Sequence, residues 1–328
     1  MKRLITALCF AITAAAVHAD VKLPALFSDH IVLQRGKPVA IWGWADPGEE
    51  VTVKFGDQSK KAATGADGSW KVKLDELKAS SEPAELKIKG RNEITLHDVL
   101  VGEVWVCSGQ SNMGFTVERA VNGKEEVANS ANPQIRMFTV PRTVADTPQK
   151  DLVTRDAASA WLLADSKNTG GFTAAGYFFG RELQKELNVP VGLINTSWGG
   201  TRAEAWTSKP ALEVLPTCKA IITGWEEMLK NYDAAKDKEK HDAVAKLVKA
   251  KIDKIKADNA KPGAKQQLVP AGSRAWEDQT KSQHRPSVLF NAMIAPIVPF
   301  TVKGAIWYQG ESNAGRAAQY QTLLPAMI

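Results

Sequence analysis

Three short polar clusters, each containing a serine, follow apolar stretches of the sequence. They occupy residues 109–112 (GQSN), 195–201 (NTSWGGT) and 309–313 (QGESN). A serine hydroxyl can attack an acyl group when a base takes its proton, and backbone N–H groups or side-chain amides can stabilise the oxyanion that forms. One such cluster would be weak evidence, because serine and asparagine also cap helices. Three clusters at equivalent strand ends indicate a functional site.

The clusters differ from the commonest serine-nucleophile turn. The Gly-x-Ser-x-Gly pattern is not matched at Ser111, Ser197 or Ser312. The chain also has no phosphate-binding or dinucleotide-binding glycine motif. It has no Cys-x-x-Cys pair and no Cys/His cluster of the kind that binds metal. We therefore expect acyl-transfer chemistry by a serine that does not lie on a Gly-x-Ser-x-Gly turn, with no cofactor and no metal.

An alternation of strands and helices begins at Val101 and would position these clusters. Apolar runs predict four strands, at residues 101–107, 134–140, 189–197 and 302–310, and amphipathic patterns predict helices between them. Such an alternation predicts a parallel sheet with helices on both faces. Ligands bind beyond the carboxyl ends of parallel strands. The three clusters should therefore meet at one edge of the sheet.

The rest of the chain predicts two further regions. Residues 20–98 contain short alternating strands broken by Gly and Pro, which predicts a small antiparallel β-domain before the α/β domain of residues 99–328. A charged, alanine-rich stretch predicts a helical insertion at about residues 212–275. Tryptophans of the β-domain could bind sugar, but filling a small core is the favoured interpretation for Trp42, Trp44 and Trp70.

The first 19 residues resemble a cleavable signal peptide. Lys2 and Arg3 precede a short apolar run at residues 4–17, and Val17 and Ala19 are the small residues expected before a cut. We expect cleavage after Ala19 and a periplasmic or secreted mature protein. The run is shorter than the roughly 20 residues of a membrane span. An N-terminal anchor or a buried helix is the less favoured alternative.

Composition is that of a soluble globular protein, with 44% hydrophobic and 24% charged residues. The formal net charge is +6, and Lys2 and Arg3 of the signal peptide account for two of those charges. This excess is too small to argue for nucleic acid as a partner. Cys107 is predicted to be a small buried hydrophobe. A Cys107–Cys218 disulfide is possible, but nothing in the sequence supports it.

Four segments together resemble a known family. The segments GQSNM, NTSWGGTRAEAW and IWYQGESNA, with LFSDHIVLQRGKPVAIWGWADPGE in the β-domain, resemble the sialate O-acetylesterase branch of the SGNH (GDSL-type) hydrolases and its acetylxylan esterase relatives. The resemblance runs from about residue 20 to the end. It implies a three-layer α/β/α parallel sheet of flavodoxin-like type, incomplete at the C-terminus.

The resemblance also implies a function. It predicts a serine esterase that removes O-acetyl groups from sugars, with 9-O-acetyl sialic acid as the favoured substrate. An acetylxylan esterase or another carbohydrate acetylesterase is the nearest alternative. A non-catalytic carbohydrate-binding protein that retains the pocket is a third. The expected partner is an O-acetylated carbohydrate, with no membrane span, and the oligomeric state is not predicted.

Residue roles follow from matching the motifs. Ser111 corresponds to the nucleophile, and its own N–H to the first oxyanion donor. Gly199 corresponds to the second donor, with Gly200 as the alternative, and Gln309 to the third, with Asn313 as the alternative. The residues expected to bind or orient substrate are Gln110, Asn112, Trp198, Arg202, Glu311 and Asn313.

The sequence departs from the family at the general base. The family carries an Asp-x-x-His block, and no histidine of the mature chain has Asp three residues before it; these are His30, His97, His241 and His284. We expect the Asp–His pair to lie in sequence beyond Ile328, so that these 328 residues alone are inactive. We also expect them to be poorly soluble, because a half-finished parallel sheet leaves an open edge and uncovered apolar faces. His284 as a local substitute is a less favoured alternative.

Overall fold

The structure is a computed structural model, and it describes residues 20–153 and 159–328. The predicted signal peptide lies outside these residues. Among the described helices, none combines the length and apolar character that crossing a membrane requires.

Strands and helices occur in the predicted alternation. The strands are β1 (Val32–Gln34), β2 (Val39–Trp44), β3 (Glu50–Phe55), β4 (Gln58–Ala63), β5 (Ser69–Leu74), β6 (Ser80–Lys89), β7 (Glu93–Gly109), β8 (Asn132–Thr139), β9 (Leu162–Ala164), β10 (Val191–Asn195) and β11 (Gly304–Tyr308). The α-helices are α1 (Gly123–Ala128), α2 (Ala174–Leu187), α3 (Ala203–Trp206), α4 (Lys209–Glu213), α5 (Pro216–Lys230), α6 (Ala234–Asn259) and α7 (Ala317–Met327). Short 3₁₀ and π turns connect them, including a π turn at Phe290–Ile294.

Strand β7 belongs to both predicted domains. Its first half pairs with β6 in antiparallel and with β1 in parallel orientation. Its second half pairs in parallel with β10 and β11. The predicted boundary between residues 98 and 99 therefore falls inside one continuous strand, and the backbone hydrogen bonds of β7 connect the antiparallel strands to the parallel ones.

The parallel strands form the sheet that carries the three clusters. Their order is β9-β8-β10-β7-β11, in which only β9 is antiparallel. The buried runs of β7 and β10 are almost entirely apolar, as expected for strands covered on both faces. Together with the small antiparallel sheet of β2 and β5, this confirms the predicted α/β fold class.

The two faces of the parallel sheet bury different side chains. On one face Val104 and Ile194 pack with residues of the 288–300 segment. On the other, Cys107 and Leu193 pack beneath helix α2. Burial raises the pKa of the Cys107 thiol to about 12. Both Cys107 and Cys218 are free thiols, so the structure contains no bridge between them.

Two of the three tryptophans predicted to fill the core of the β-domain do so, and the third, Trp44, is half-buried. Trp42 and Trp70 are buried, and Trp42 packs edge-on against Phe27 with ring centroids 4.8 Å apart. The ring of Phe300, from the α/β part, lies 6.4 Å from Trp42. The two parts of the chain therefore share one apolar core.

Helices α5 and α6 occupy much of the span predicted to be a helical insertion. Val244 and Leu247, two apolar residues of α6, are 57% and 72% exposed. They are exposed because α6 extends into solvent, and Ile252 is its only buried residue in the described structure. The segment that follows α6 is held against this helix by a hydrogen bond from Trp276 Nε1 to Asp237 Oδ2, at 2.9 Å.

Candidate functional site

The ends of β10, β7 and β11 lie side by side, so the predicted convergence is confirmed. Thr196 N donates to Cys107 O at 2.9 Å, and Trp198 N donates to Gly109 O at 3.0 Å. These two bonds continue the β10–β7 pairing past the end of β10. Ser111 follows the middle strand of the three.

Gly109 explains how the buried strand can turn into a polar loop. Its φ of +143° is a conformation that L side chains rarely adopt. A Cβ at this position would lie 2.2 Å from Tyr308 O. The close approach lets Gln110 N donate to the same carbonyl at 3.0 Å. Only glycine fits here, and the turn it allows brings Ser111 to the surface.

Ser111 and Gly199 form the centre of the site. Ser111 is exposed, and a Cβ built on Gly199 would lie 3.6 Å from Ser111 Cβ, so the two residues are close neighbours and a side chain at position 199 would touch Ser111. Among the described residues, the N–H groups of Ser111 and Gly199 and the Ser111 hydroxyl have no hydrogen-bond partner. Two unpaired donors beside a free hydroxyl are what an oxyanion site requires.

The third strand end is tied to the first by two side chains. Gln110 is buried, and its Oε1 accepts from Ser312 N at 3.2 Å. Asn112 Nδ2 donates to Glu311 Oε1 at the exposed rim. The predicted substrate-binding residues Gln110, Asn112 and Glu311 are thus brought together, and Asn112 and Glu311 are accessible to a ligand.

Gln309 and Asn313 are engaged in a network inside the loop. Gln309 Nε2 donates to Thr201 O at 3.2 Å and to Asn313 Oδ1 at 2.6 Å. Asn313 is buried, and its Nδ2 donates to Glu204 Oε2 at 3.0 Å. To act as a third oxyanion donor, Gln309 would have to give up one of these two hydrogen bonds and turn the freed N–H group toward the substrate.

Glu204 is a residue of the site that sequence reasoning missed. Its side chain is buried and pairs with Arg316, so one carboxylate connects α3 to the loop after β11. The signal was a lone carboxylate inside the apolar AEAW stretch. Because buried carboxylates need partners, such a position indicates a polar network.

Trp198 and Arg202 lie on the loop between β10 and α3. Trp198 is half-buried and packs against the core. Arg202 is exposed, and its guanidinium has no hydrogen bond or ion pair with any described residue. It is therefore available to an anionic group of a ligand.

None of the described histidines is hydrogen-bonded to Ser111. His30 Nδ1 lies 2.6 Å from Asp98 Oδ2, which resembles a catalytic pair. Asp98 precedes Gly109 by eleven residues of one extended strand, which places it roughly 36 Å away at about 3.3 Å per residue. His30 therefore lies at the opposite end of the sheet from Ser111.

His284 is the histidine associated with the second loop. Burial lowers its pKa, Glu277 and Glu204 oppose that shift, and Arg202 adds to it. Its Nδ1 is buried without a partner among the described residues. The same residues contain no group of three or more His, Cys, Asp and Glu side chains that could hold a metal ion.

Known proteins resemble this chain in fold and in sequence. The fold matches the crystal structure of a carbohydrate acetylesterase from Xanthomonas citri, with a TM-score of 0.70 and 31% identity over 94% of this chain and 56% of that one. Residues 101–248 match the family model described as carbohydrate esterase, sialic acid-specific acetylesterase. The resemblance to the sialate O-acetylesterase branch is thereby confirmed.

Curated relatives extend the similarity over most of the chain. Sialate O-acetylesterase of Rattus norvegicus is 33% identical over 317 residues, or 92% of this chain and 54% of that protein. The enzyme of Homo sapiens is 32% identical over 319 residues, or 92% of this chain and 50% of that protein. The chain thus spans about half the length of the relatives it matches.

Proposed function

We propose that the protein to which this chain belongs is a serine esterase that removes O-acetyl groups from sugars. The observation that carries the proposal is that Ser111 and Gly199 are close neighbours, with a free hydroxyl and two unpaired backbone N–H groups between them. Ser111 Oγ attacks the acetyl carbonyl, and the N–H groups of Ser111 and Gly199 stabilise the oxyanion. Gln309 adds a third donor once it turns from Thr201.

The proton of Ser111 needs a base, which we propose lies beyond Ile328 as an Asp–His pair. Support comes from the family resemblance, from relatives about twice as long, and from the absence of a histidine bonded to Ser111 among the described residues. The base takes the hydroxyl proton during attack and returns one to the sugar oxygen that leaves. Water then hydrolyses the acetyl-enzyme by the reverse roles.

The experiment is a Ser111→Ala substitution in the longer gene product. We expect hydrolysis of O-acetylated sugars to fall by about 10⁶-fold, the loss typical of removing a serine nucleophile. Ser197→Ala is the matched control, because Ser197 is buried and bonded to Asn195 Oδ1 at 2.8 Å. Turnover that survives Ser111→Ala would contradict the esterase, and unchanged sugar binding without turnover would favour a binding protein.

We propose 9-O-acetyl sialic acid as the substrate, in preference to acetylated xylan. Sialic acid carries a carboxylate, and the unpaired guanidinium of Arg202 on the second loop is suited to pair with it. A neutral acetylated sugar offers Arg202 no such partner. Acetylated xylan is the alternative substrate, because the similar structure from Xanthomonas citri is described as a carbohydrate acetylesterase without reference to sialic acid.

A substitution at Arg202 tests this preference. Arg202→Gln should raise KM for the acidic substrate by about tenfold, the equivalent of a charge-assisted hydrogen bond, and leave KM for acetylated xylose unchanged. Arg119→Gln is the control, because Arg119 is an exposed arginine of the loop after β7. Equal changes on both substrates would point away from carboxylate recognition.

We further propose that residues 1–19 are a signal peptide and that the mature protein is periplasmic or secreted. The proposal rests on the basic start, the short apolar run and the small residues before Asp20. The N-terminal sequence of the mature protein would test it, with Asp20 expected first.

A further inference from the structure

A cavity between the helical insertion and the loop after β8 uses none of the residues assigned above. It has a volume of about 220 Å³. Its walls come from α4, α5, the loop after β8, the π turn and the segment before it, and they include Asp146, Lys209, Trp225, Glu226, Arg285 and Asn291. Sites for drug-sized ligands measure roughly 300–1,000 Å³. The space therefore suits a ligand of about one ring.

The walls combine an aromatic ring with charged groups. Trp225 is half-buried, and its indole N–H has no hydrogen-bond partner among the described residues. The charges are balanced, because Arg285 pairs with Asp146 and Lys209 Nζ lies 3.9 Å from Glu226. An anionic or cationic ligand would thus find no free opposite charge. An apolar ligand would have to desolvate these charged groups, which is costly.

A neutral sugar ring meets both conditions. Its C–H face can pack on an indole, and its hydroxyls can bond to charged and amide groups that already have partners. We propose that this cavity is a second carbohydrate subsite, which binds a neutral sugar residue. The proposal rests on the proposed function only for the choice of sugars as probes.

Connections through the backbone place the cavity next to the second strand-end loop. Ser287 lines the cavity, and its N–H donates to Glu204 O of α3 at 2.9 Å. Arg285, two residues earlier in the chain, lines it too. Ser287 therefore connects the cavity to α3, which begins directly after Arg202. The helical insertion would then take part in sugar binding, because Trp225 of α5 forms the aromatic wall of the cavity.

Titration calorimetry with lactose, xylotriose and N-acetylneuraminic acid tests the proposal on the longer product that carries the proposed Asp–His pair. We expect a neutral sugar to bind with a Kd in the millimolar range, and Trp225→Ala to weaken it at least tenfold. Trp225→Phe keeps a smaller ring and should weaken it less, which gives a result even if the alanine variant does not fold. Lys219→Gln, an exposed lysine of α5 outside the cavity, should change nothing.

Three outcomes would overturn the subsite: no neutral probe binding below about 50 mM, Trp225→Ala binding within twofold of the parent chain, or N-acetylneuraminic acid binding tighter than the neutral probes at this cavity. Ser111→Ala separates the two proposals. It should leave calorimetric binding at the cavity intact even where it abolishes deacetylation, so failure of one does not imply failure of the other.

Discussion

Gly109 determines where the hydroxyl of Ser111 lies, although it takes no part in chemistry. Its positive φ and its closeness to Tyr308 O leave no room for a side chain. The first polar cluster begins with glycine because the turn out of β7 passes directly against the end of β11. The same turn leaves the N–H of Ser111 unpaired.

Gly109→Ala should therefore disturb both stability and the site. Strain at a positive φ and overpacking each cost on the order of 1–3 kcal/mol, so we expect the free energy of unfolding to fall by at least about 2 kcal/mol. Urea unfolding measures the change. Gly171→Ala is the control, because nothing lies within 4 Å of a Cβ there and its φ lies outside the region that L side chains rarely adopt. Similar losses in both variants would show that the turn tolerates a side chain.

At the scale of elements, the carboxylate of Glu204 holds α3 against the loop that follows β11. It pairs with Arg316 and accepts from Asn313, which in turn accepts from Gln309. The loop that carries the proposed third oxyanion donor is thus fixed through a buried charge on another element. The shape of this loop depends on contacts about 110 residues apart in sequence.

Glu204→Gln should loosen this connection. Breaking a buried pair costs about 3–5 kcal/mol, but the Arg316 side chain is 33% exposed, so solvent screening reduces the expected loss to about 1–3 kcal/mol. Chemical denaturation measures it. Glu182→Gln removes an exposed carboxylate paired with Arg181 and should cost at most about 1 kcal/mol. Equal losses would mean that the Glu204 pair contributes no more than a surface pair.

At the scale of the whole molecule, strand β11 is an edge. It pairs only with β7 among the described strands. An apolar hollow of about 430 Å³ lies beside it, lined by side chains that include Trp206, Phe290 and Trp307. Unpaired backbone groups next to exposed apolar surface favour association between chains.

We therefore expect residues 1–328 alone to aggregate. We also expect them to show no esterase activity, because the proposed Asp–His pair is not among them. A longer product that supplies this pair should be monodisperse and active. Light scattering and p-nitrophenyl acetate hydrolysis distinguish the two forms. A monodisperse preparation of these 328 residues that melts cooperatively would contradict the first expectation. Robust turnover by the same preparation, lost on Ser111→Ala, would contradict the second.

Much of this architecture was determined by the sequence itself. Apolar runs separated by amphipathic helices fix a parallel sheet, because each run must be covered on both faces. Because parallel strands run in the same direction, their carboxyl ends lie at one edge of the sheet, and the clusters at Ser111, Gly199 and Gln309 lie there with them. This is the edge at which ligands bind in such sheets. These features depend on local patterns, which a single sequence displays directly.

Only the tertiary structure decided the rest, because it depends on contacts between residues far apart in the chain. The local sequence pattern does not reveal that β7 runs through both predicted domains. The strand pairs with β6 in its first half and with β10 in its second, and neither partner can be read from the sequence of the strand itself. It does not reveal that Glu204 meets Asn313, or that Trp225 lines a cavity with Arg285. Such pairings are chosen by packing in three dimensions, where the burial of one side chain is set by residues a hundred positions away.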